Sequence, residues 1–306
     1  MIIRHLLLRV GARFIRSKFS IVLHPIGLIW QCISRARHFL YGVGFFRAHK
    51  VNATVISVGN IAVGGTGKTP LVIRLAQAFS STSVAILLRG YGKDEEFLFR
   101  KHLPKVAIYA HPDRVKSARL AVANGAKLLI LDDGFQHRRL ARDVDIVIAR
   151  QKDFTGRCLP AGDLRDSPRR LKKADMIVLD TEMHTIVRNI RTIQGENISS
   201  IQGERIGMFC GLGTPDKFKK TLEGLGVQIV EELILADHEP ISNRCLNAFY
   251  QKCKSLNIKY LVCTEKDAVK LSPTDLPILV VEISVEVVGM EKLIAKIEES
   301  LYTSAL

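Results

Sequence analysis

Short apolar runs alternate with amphipathic segments through the first part of the chain. Five apolar runs predict buried strands, at residues 54–59, 83–88, 127–131, 144–149 and 175–180. Helices are predicted after residue 70, as far as about Phe79, and from Arg114 to Asn124. Strands that alternate with helices are typical of α/β proteins. We therefore expect a parallel sheet with helices on both faces.

A second alternating series follows a polar, weakly patterned stretch at 182–204. It predicts strands near 207–212, 227–230 and 260–264 and helices near 215–225, 243–256 and 290–302. These patterns predict four segments. They are a basic amphipathic segment at 1–34, a first α/β domain at 35–181, a linker at 182–204 and a smaller α/β domain at 205–306.

The predicted first strand is followed by a glycine-rich turn that precedes a helix. This turn has the pattern of a phosphate-binding loop, in which backbone amides, a lysine and a hydroxyl surround the phosphates and Mg²⁺ of a nucleotide. Alanine stands at the first position, where the usual pattern has glycine. The sequence therefore predicts ATP and Mg²⁺ as cofactors, with a loop formed by Ala62, Val63, Gly64, Gly65, Thr66, Gly67, Lys68 and Thr69.

An acidic pair ends the strand at 127–131. Asp132 and Asp133 precede a glycine, which alone would be typical of a turn. An acid at the end of a parallel strand beside a phosphate loop can instead hold Mg²⁺ or its water. We assign Thr69 and at least one of these two carboxylates to the metal.

Charge is distributed unevenly along the chain. The net charge is +15, and no Asp or Glu occurs before Asp94. Ile3, Leu7, Val10 and Phe14 share one helical face, with arginines roughly opposite. Such a helix either contacts an anionic bilayer or packs on its own domain. The sixteen uncharged residues at 19–34, which include His24 and Pro25, are too few to span a membrane.

Several blocks in order along the chain resemble the tetraacyldisaccharide 4′-kinase family, the lipid A 4′-kinases. They read SVGNIAVGGTGKTP at 57–70, LLRGYG at 87–92, DDGFQHRRLARD at 132–143, LPAGDLRDSPRRLKKAD at 159–175, FCGLGTPDKF at 209–218, ADHEP at 236–240 and TEKDAVKL at 264–271. The resemblance implies two α/β domains. It also implies transfer of the γ-phosphate of ATP to the 4′-hydroxyl of a tetraacyldisaccharide 1-phosphate, giving lipid IVA.

The resemblance also implies roles for residues outside the phosphate loop. Asp94 would be the catalytic base, and His238 its partner. The residues that would bind the acylated acceptor are Tyr91, Arg114, Arg165 and Asp166. The enzyme would act peripherally at the cytoplasmic face of the inner membrane of a Gram-negative-type bacterium.

Two other classes of function remain as alternatives. A membrane-associated phosphate-loop ATPase could act as a regulatory or partitioning switch. A nucleic-acid-binding role is disfavoured, because the charge after residue 93 is nearly balanced and a recognised binding motif is lacking. The sequence gives no reason to infer an obligate protein partner. The six scattered cysteines support neither a zinc site nor a disulfide framework.

Overall fold

The computed structural model describes residues 20–90, 93–236 and 239–305 and divides the chain into two compact units. Within those residues, the first unit comprises 20–90, 99–183 and 287–305, and the second comprises 93–98, 184–236 and 239–286. Residues 1–19, together with Tyr91 and His238, lie outside the described residues.

The first unit is built on a six-stranded sheet. Its strands are β1 (Thr54–Asn60), β2 (Val84–Leu88), β3 (Ala107–Ala110), β4 (Leu128–Asp132), β5 (Val144–Ala149) and β6 (Met176–Leu179), in the spatial order β3-β2-β4-β1-β5-β6. Every neighbouring pair is parallel. β1, β2, β4 and β5 are buried along their whole length, as expected for a sheet that is covered on both faces. The predicted α/β class is confirmed.

Five helices of the described residues belong to this unit in whole or in part, and three of them make the main contacts with the sheet. They are α1 (Ser20–Gly42), α2 (Lys68–Ala78), α3 (Lys93–His102), α4 (Arg114–Ala123) and, at the end of the chain, α8 (Met290–Ala305). α2 packs against β1 and β4, α4 against β2 and β3, and α8 against β1 and β5. α3 begins in the second unit and continues into the first. None of the helices in the described part of the chain is both long and apolar enough to cross a bilayer.

The second unit contains a five-stranded sheet. Its strands are β7 (Met183–Thr192), β8 (Arg205–Cys210), β9 (Gln228–Ile234), β10 (Tyr260–Thr264) and β11 (Ile278–Val287), in the order β7-β11-β10-β8-β9. Its helices are α5 (Pro215–Gly224), α6 (Asn243–Ser255) and the short α7 (Glu265–Ala268).

The two longer helices of this unit cover opposite faces of its sheet. Ile206 and Met208 of β8 share one core with Phe218 of α5, whereas Phe209 shares another with Phe249 of α6. Successive side chains of a strand point to opposite faces, so these two cores lie on opposite sides of the sheet.

The described structure differs from the predicted domain boundaries in three places. The predicted linker at 182–204 contains the strand β7. Most positions of β7 are half-buried, so its sequence lacks the alternation of apolar and polar residues that predicts a strand. α8 was placed in the second domain but packs on the first unit. Helix α1 runs across the predicted boundary at 34/35 and continues through Pro25, which lies early in the helix.

Candidate active site

The phosphate loop lies between the central strand β1 and the helix α2. Gly67 caps α2 with a φ of 90°, a left-handed conformation that glycine adopts without strain. The α2 N-terminus therefore points its free amides toward the loop, which suits an anion. Ala62 is buried and forms an isolated antiparallel β-bridge with Leu164. An alanine therefore fits at the position where the common pattern has glycine.

Two buried side chains fix the interior of the loop. The Asn60 amide nitrogen donates a hydrogen bond of 2.9 Å to the Thr66 hydroxyl oxygen. The Asn60 amide oxygen accepts a hydrogen bond from the Arg165 guanidinium. Sequence reasoning missed Asn60. Its one signal was its position as the last residue of the strand before the loop.

The acidic pair lies beside the loop because β4 is the parallel neighbour of β1. Asp132 ends β4 and is buried, and Asp133 follows with a φ of 51°. The Lys68 ammonium lies 3.5 Å from an Asp133 carboxylate oxygen. The loop lysine and this acidic pair therefore lie side by side, as the sequence predicted, and their roles in binding ATP and Mg²⁺ stay predictions.

Arg165 binds Asp133 through two parallel hydrogen bonds. Its terminal nitrogens lie 2.9 and 2.8 Å from the two carboxylate oxygens. Burial raises the pKa of Asp133, but the Arg165 hydrogen bonds and the charges of Lys68 and Arg114 outweigh burial and lower this pKa well below its ordinary value. Asp133 is therefore ionised under all ordinary conditions, and both of its oxygens are engaged by Arg165.

Arg114 holds the backbone of the same loop. This buried first residue of α4 donates hydrogen bonds of 2.6 and 3.0 Å to the carbonyl oxygens of Asp132 and Asp133. Burial and the nearby charges of Arg114 and Arg142 lower the pKa of His137 to about 4, so this imidazole is neutral at physiological pH. Contact of Arg114 with an acceptor, as the resemblance implied, stays a prediction.

Asp166 follows Arg165 in the chain and connects the segment after β5 to helix α1. Its carboxylate accepts a hydrogen bond of 2.7 Å from the Ser34 hydroxyl and lies 2.9 Å from the His38 ring nitrogen Nε2. Burial raises the pKa of Asp166, and the contacts with His38 and Ser34 lower it by more. The predicted role of Asp166 in acceptor binding stays a prediction, and the observed role is to hold α1.

A second group of predicted residues lies in the other unit. Asp94, in the first turn of α3, is buried and lies 3.2 Å from the Lys270 ammonium and 4.0 Å from that of Lys266. The TEKD segment entered the sequence analysis only as part of the family resemblance, without a role of its own. The four-residue spacing of these two lysines was a usable signal, since it places both on one helical face. The candidates Tyr91 and His238 lie outside the described residues.

Comparison with known proteins shows the family of this chain. The family model described as tetraacyldisaccharide-1-P 4′-kinase matches residues 19–302. This chain belongs to that family. It is 33% identical to the tetraacyldisaccharide 4′-kinase of Syntrophus aciditrophicus, over 87% of this chain and 88% of that protein. It is 35% identical to the corresponding protein of Chlamydia abortus, over 79% of this chain and 81% of the relative.

A solved structure supports the same membership. The crystal structure of LpxK from Aquifex aeolicus in complex with ATP aligns with a TM-score of 0.75 and 29% identity. The alignment covers 93% of this chain and all of the crystallised one. The family resemblance that the sequence motifs indicated is therefore confirmed, and the fold is shared over nearly the whole chain.

Proposed function

We propose that this chain is an ATP-dependent kinase that phosphorylates the 4′-hydroxyl of tetraacyldisaccharide 1-phosphate in lipid A biosynthesis. One observation carries the proposal: a phosphate loop whose lysine contacts the second acid of a strand-end pair, in a chain that belongs to the 4′-kinase family. A regulatory ATPase would use the loop but would need no acceptor.

The direct test is incubation of the purified chain with ATP, Mg²⁺ and the disaccharide 1-phosphate, followed by mass spectrometry of the lipid. We expect the lipid to gain one phosphate and ADP to form in equal amount. ATP hydrolysis without any gain in lipid mass would support the regulatory ATPase instead.

In this proposal, residues 62–67 and Lys68 hold the phosphates of ATP, and the residues present also fit Mg²⁺. This ion prefers oxygen ligands and keeps several waters while one or two protein groups and the phosphates hold it. Thr69 and Asp132 would hold the ion, because Arg165 engages both oxygens of Asp133. Bound Mg²⁺ would neutralise charge that develops on the phosphates.

Asp94 is the proposed general base. Its carboxylate would accept the proton of the 4′-hydroxyl as the new oxygen–phosphorus bond forms and the bond to ADP breaks. Positioned proton transfer is typically worth about 10²–10⁴-fold in rate, so Asp94→Asn should lower kcat by about that factor. His238→Ala should lower kcat by less. The two losses should not multiply in the double variant, because coupled groups act as one unit.

We also propose that the enzyme acts on the membrane surface at the cytoplasmic face of the inner membrane. Large apolar side chains of α1 are exposed, Ile26, Ile29 and Ile33 among them, each by more than half. The positive charge of the first 93 residues suits anionic lipids. The predicted basic helix at residues 3–16 lies outside the described residues and stays a prediction.

A further inference from the structure

Asp94 lies against two lysines of the second unit. The Lys270 ammonium is 3.2 Å and the Lys266 ammonium 4.0 Å from the same carboxylate oxygen, Oδ2. The side chains of Lys270 and Asp94 are only 12% and 6% exposed. A charge pair with so little solvent is screened weakly, and removal of one partner leaves the other charge poorly compensated.

Lys270 is itself held by a second carboxylate. Its ammonium lies 3.9 Å from Oδ1 of the buried Asp267. The Asp267 carboxylate accepts hydrogen bonds of 2.9 Å from the Gly211 amide and 2.7 Å from the Thr264 hydroxyl. Gly211 follows β8 and Thr264 ends β10, so Asp267 is tied to the ends of two neighbouring parallel strands.

These contacts form a continuous connection from the sheet to Asp94. The strand ends fix Asp267, Asp267 orients Lys270, and Lys270 faces Asp94. Asp94 occupies the first turn of a helix, where the free amides also favour a negative charge. The charged groups that face Asp94 from α7 and the turn after it are therefore Lys266 and Lys270, with Asp267 behind them.

We propose that Lys270, held by Asp267, is a positioning residue that fixes the Asp94 carboxylate and keeps it ionised for proton transfer. This inference rests on the proposed role of Asp94 as base. A base must be ionised and must lie within hydrogen-bond reach of the proton that it accepts. Lys270 supplies both conditions because Asp267 links it to the ends of two strands, and Lys266 contributes less because it is farther from the carboxylate.

The main experiment compares Lys270→Met, Lys270→Arg and Lys254→Met by their kcat–pH profiles. Lys254 is an exposed lysine of the same unit and serves as the matched control. We expect Lys270→Met to lower kcat by about tenfold to a hundredfold, with little change in the KM for ATP. Its acid limb should move to higher pH, because a positive charge that favours the ionised carboxylate is lost. Lys270→Arg should restore the position of that limb, and Lys254→Met should match the wild type.

A double-variant comparison separates this inference from the proposed function. In an Asp94→Asn background, Lys270→Met should cause no further loss of kcat, because its effect passes through Asp94. If Asp94→Asn itself stays fully active, the base assignment is wrong. If Asp94→Asn is impaired while Lys270→Met keeps the wild-type rate and acid limb, only the positioning role is overturned. A rate loss in Lys270→Met without a shift of the limb, unrescued by Lys270→Arg, also overturns it.

Discussion

Asp133 and Arg165 connect the phosphate loop to the segment that follows β5. Asp133 contacts both Lys68 and Arg165, and Arg165 also donates to Asn60. A bidentate arginine–carboxylate pair fixes geometry more strongly than a pair of point charges. The loop lysine is thus oriented before any nucleotide binds, which reduces the ordering that ATP binding requires.

Replacement of Lys68 should remove most turnover while the fold persists. In Lys68→Ala, Asp133 keeps Arg165 as a partner, but the positive charge that would contact the transferring phosphate is lost. Loss of one such transition-state contact costs on the order of 10²–10³ in kcat. Turnover at saturating ATP measures the effect, and Lys105→Ala is the exposed-lysine control. A Lys68→Ala enzyme near the wild-type rate would contradict the assignment of the loop.

The two acids of the pair should respond differently to substitution. We expect Asp132→Asn to raise the Mg²⁺ concentration needed for half-maximal rate. Asp133→Asn should chiefly lower thermal stability, because it leaves the Arg165 charge without its bidentate partner. Mg²⁺ titrations and melting curves of both variants measure this contrast. A larger change in Mg²⁺ requirement for Asp133→Asn than for Asp132→Asn would reverse the assignment.

Asp166 should make a pH-dependent contribution to the free energy of unfolding. Its pKa is lowered in the folded chain, below the value of about 3.9 expected for an unfolded chain. Its ionised form therefore stabilises the fold above about pH 4, and this contribution is lost as the pH falls through the folded pKa. Asp166→Asn should be less stable by about 1.5–3 kcal/mol at pH 7, and the difference should shrink toward pH 3. Urea unfolding at several pH values measures the difference. A constant difference would refute the explanation, and exposed Asp216→Asn provides the control.

At the scale of elements, helix α1 packs against its unit through polar and small side chains and leaves large apolar ones exposed. The Trp30 indole donates to the Arg165 carbonyl oxygen at 3.0 Å, and Gln31 and Ser34 donate to Ser167 and Asp166. Gly27 lies so close to the unit that a Cβ atom would stand 3.1 Å from the Cys158 carbonyl oxygen. An ordinary surface helix instead packs its large apolar side chains against the core and exposes its polar ones.

A larger side chain at Gly27 should displace α1. Gly27→Leu would press on Cys158 and Ala161, so the helix must shift and the Trp30 contact with Arg165 must weaken. Because Trp30 is the one tryptophan of the chain, its fluorescence reports on this contact directly. We expect a changed emission spectrum and a lower melting temperature. An unchanged spectrum would show that the close approach does not constrain the helix, and Gly42→Leu, at an open position, is the control.

The exposed apolar side chains of α1 should contribute to membrane binding. Full burial of one such side chain contributes about 1.5–3 kcal/mol, so Ile29→Ser with Ile33→Ser should weaken vesicle binding by at least tenfold. Co-sedimentation with vesicles that contain anionic lipid measures the binding. Exposed Leu120→Ser, on α4, is the matched control. Equal binding of the double variant and the wild type would mean that α1 does not enter the bilayer.

The sequence predicted the buried strands of the first unit well, because strands covered on both faces are continuous apolar runs. β1, β4 and β5 lie within a residue of their predicted ends. Strand β7 was not predicted, because its apolar and polar residues do not alternate regularly and because it pairs with β11, which is distant in sequence. The contacts of Asp166 with α1 and of Asp94 with Lys270 could not be predicted either, because each joins residues more than a hundred positions apart.

At the scale of the whole molecule, the chain leaves the first unit and later returns to it. Residues 184–236 and 239–286 belong to the second unit, and 287–305 belong to the first. Apolar periodicity predicted the existence of α8 but not the sheet on which it packs. That choice depends on which surface remains uncovered once the strands are paired, and a local pattern does not encode it.

Substitution of a buried leucine in α8 tests which unit this helix stabilises. Leu293 of α8 and Leu246 of α6 are equally buried, at 2% exposure, and each should cost about 2–5 kcal/mol when replaced by alanine. Leu293→Ala removes packing from the unit that carries the phosphate loop, so it should lower the temperature at which ATP binding is lost. Leu246→Ala removes packing from the other unit and should affect that temperature much less. ATP at a hundredfold excess over its Kd should stabilise the first unit by about 2.7 kcal/mol and offset part of the Leu293→Ala loss. Fluorescent nucleotide binding followed during heating measures all three effects. Equally small effects of the two substitutions on ATP binding would mean that α8 belongs energetically with the second unit, as its place in the sequence suggests.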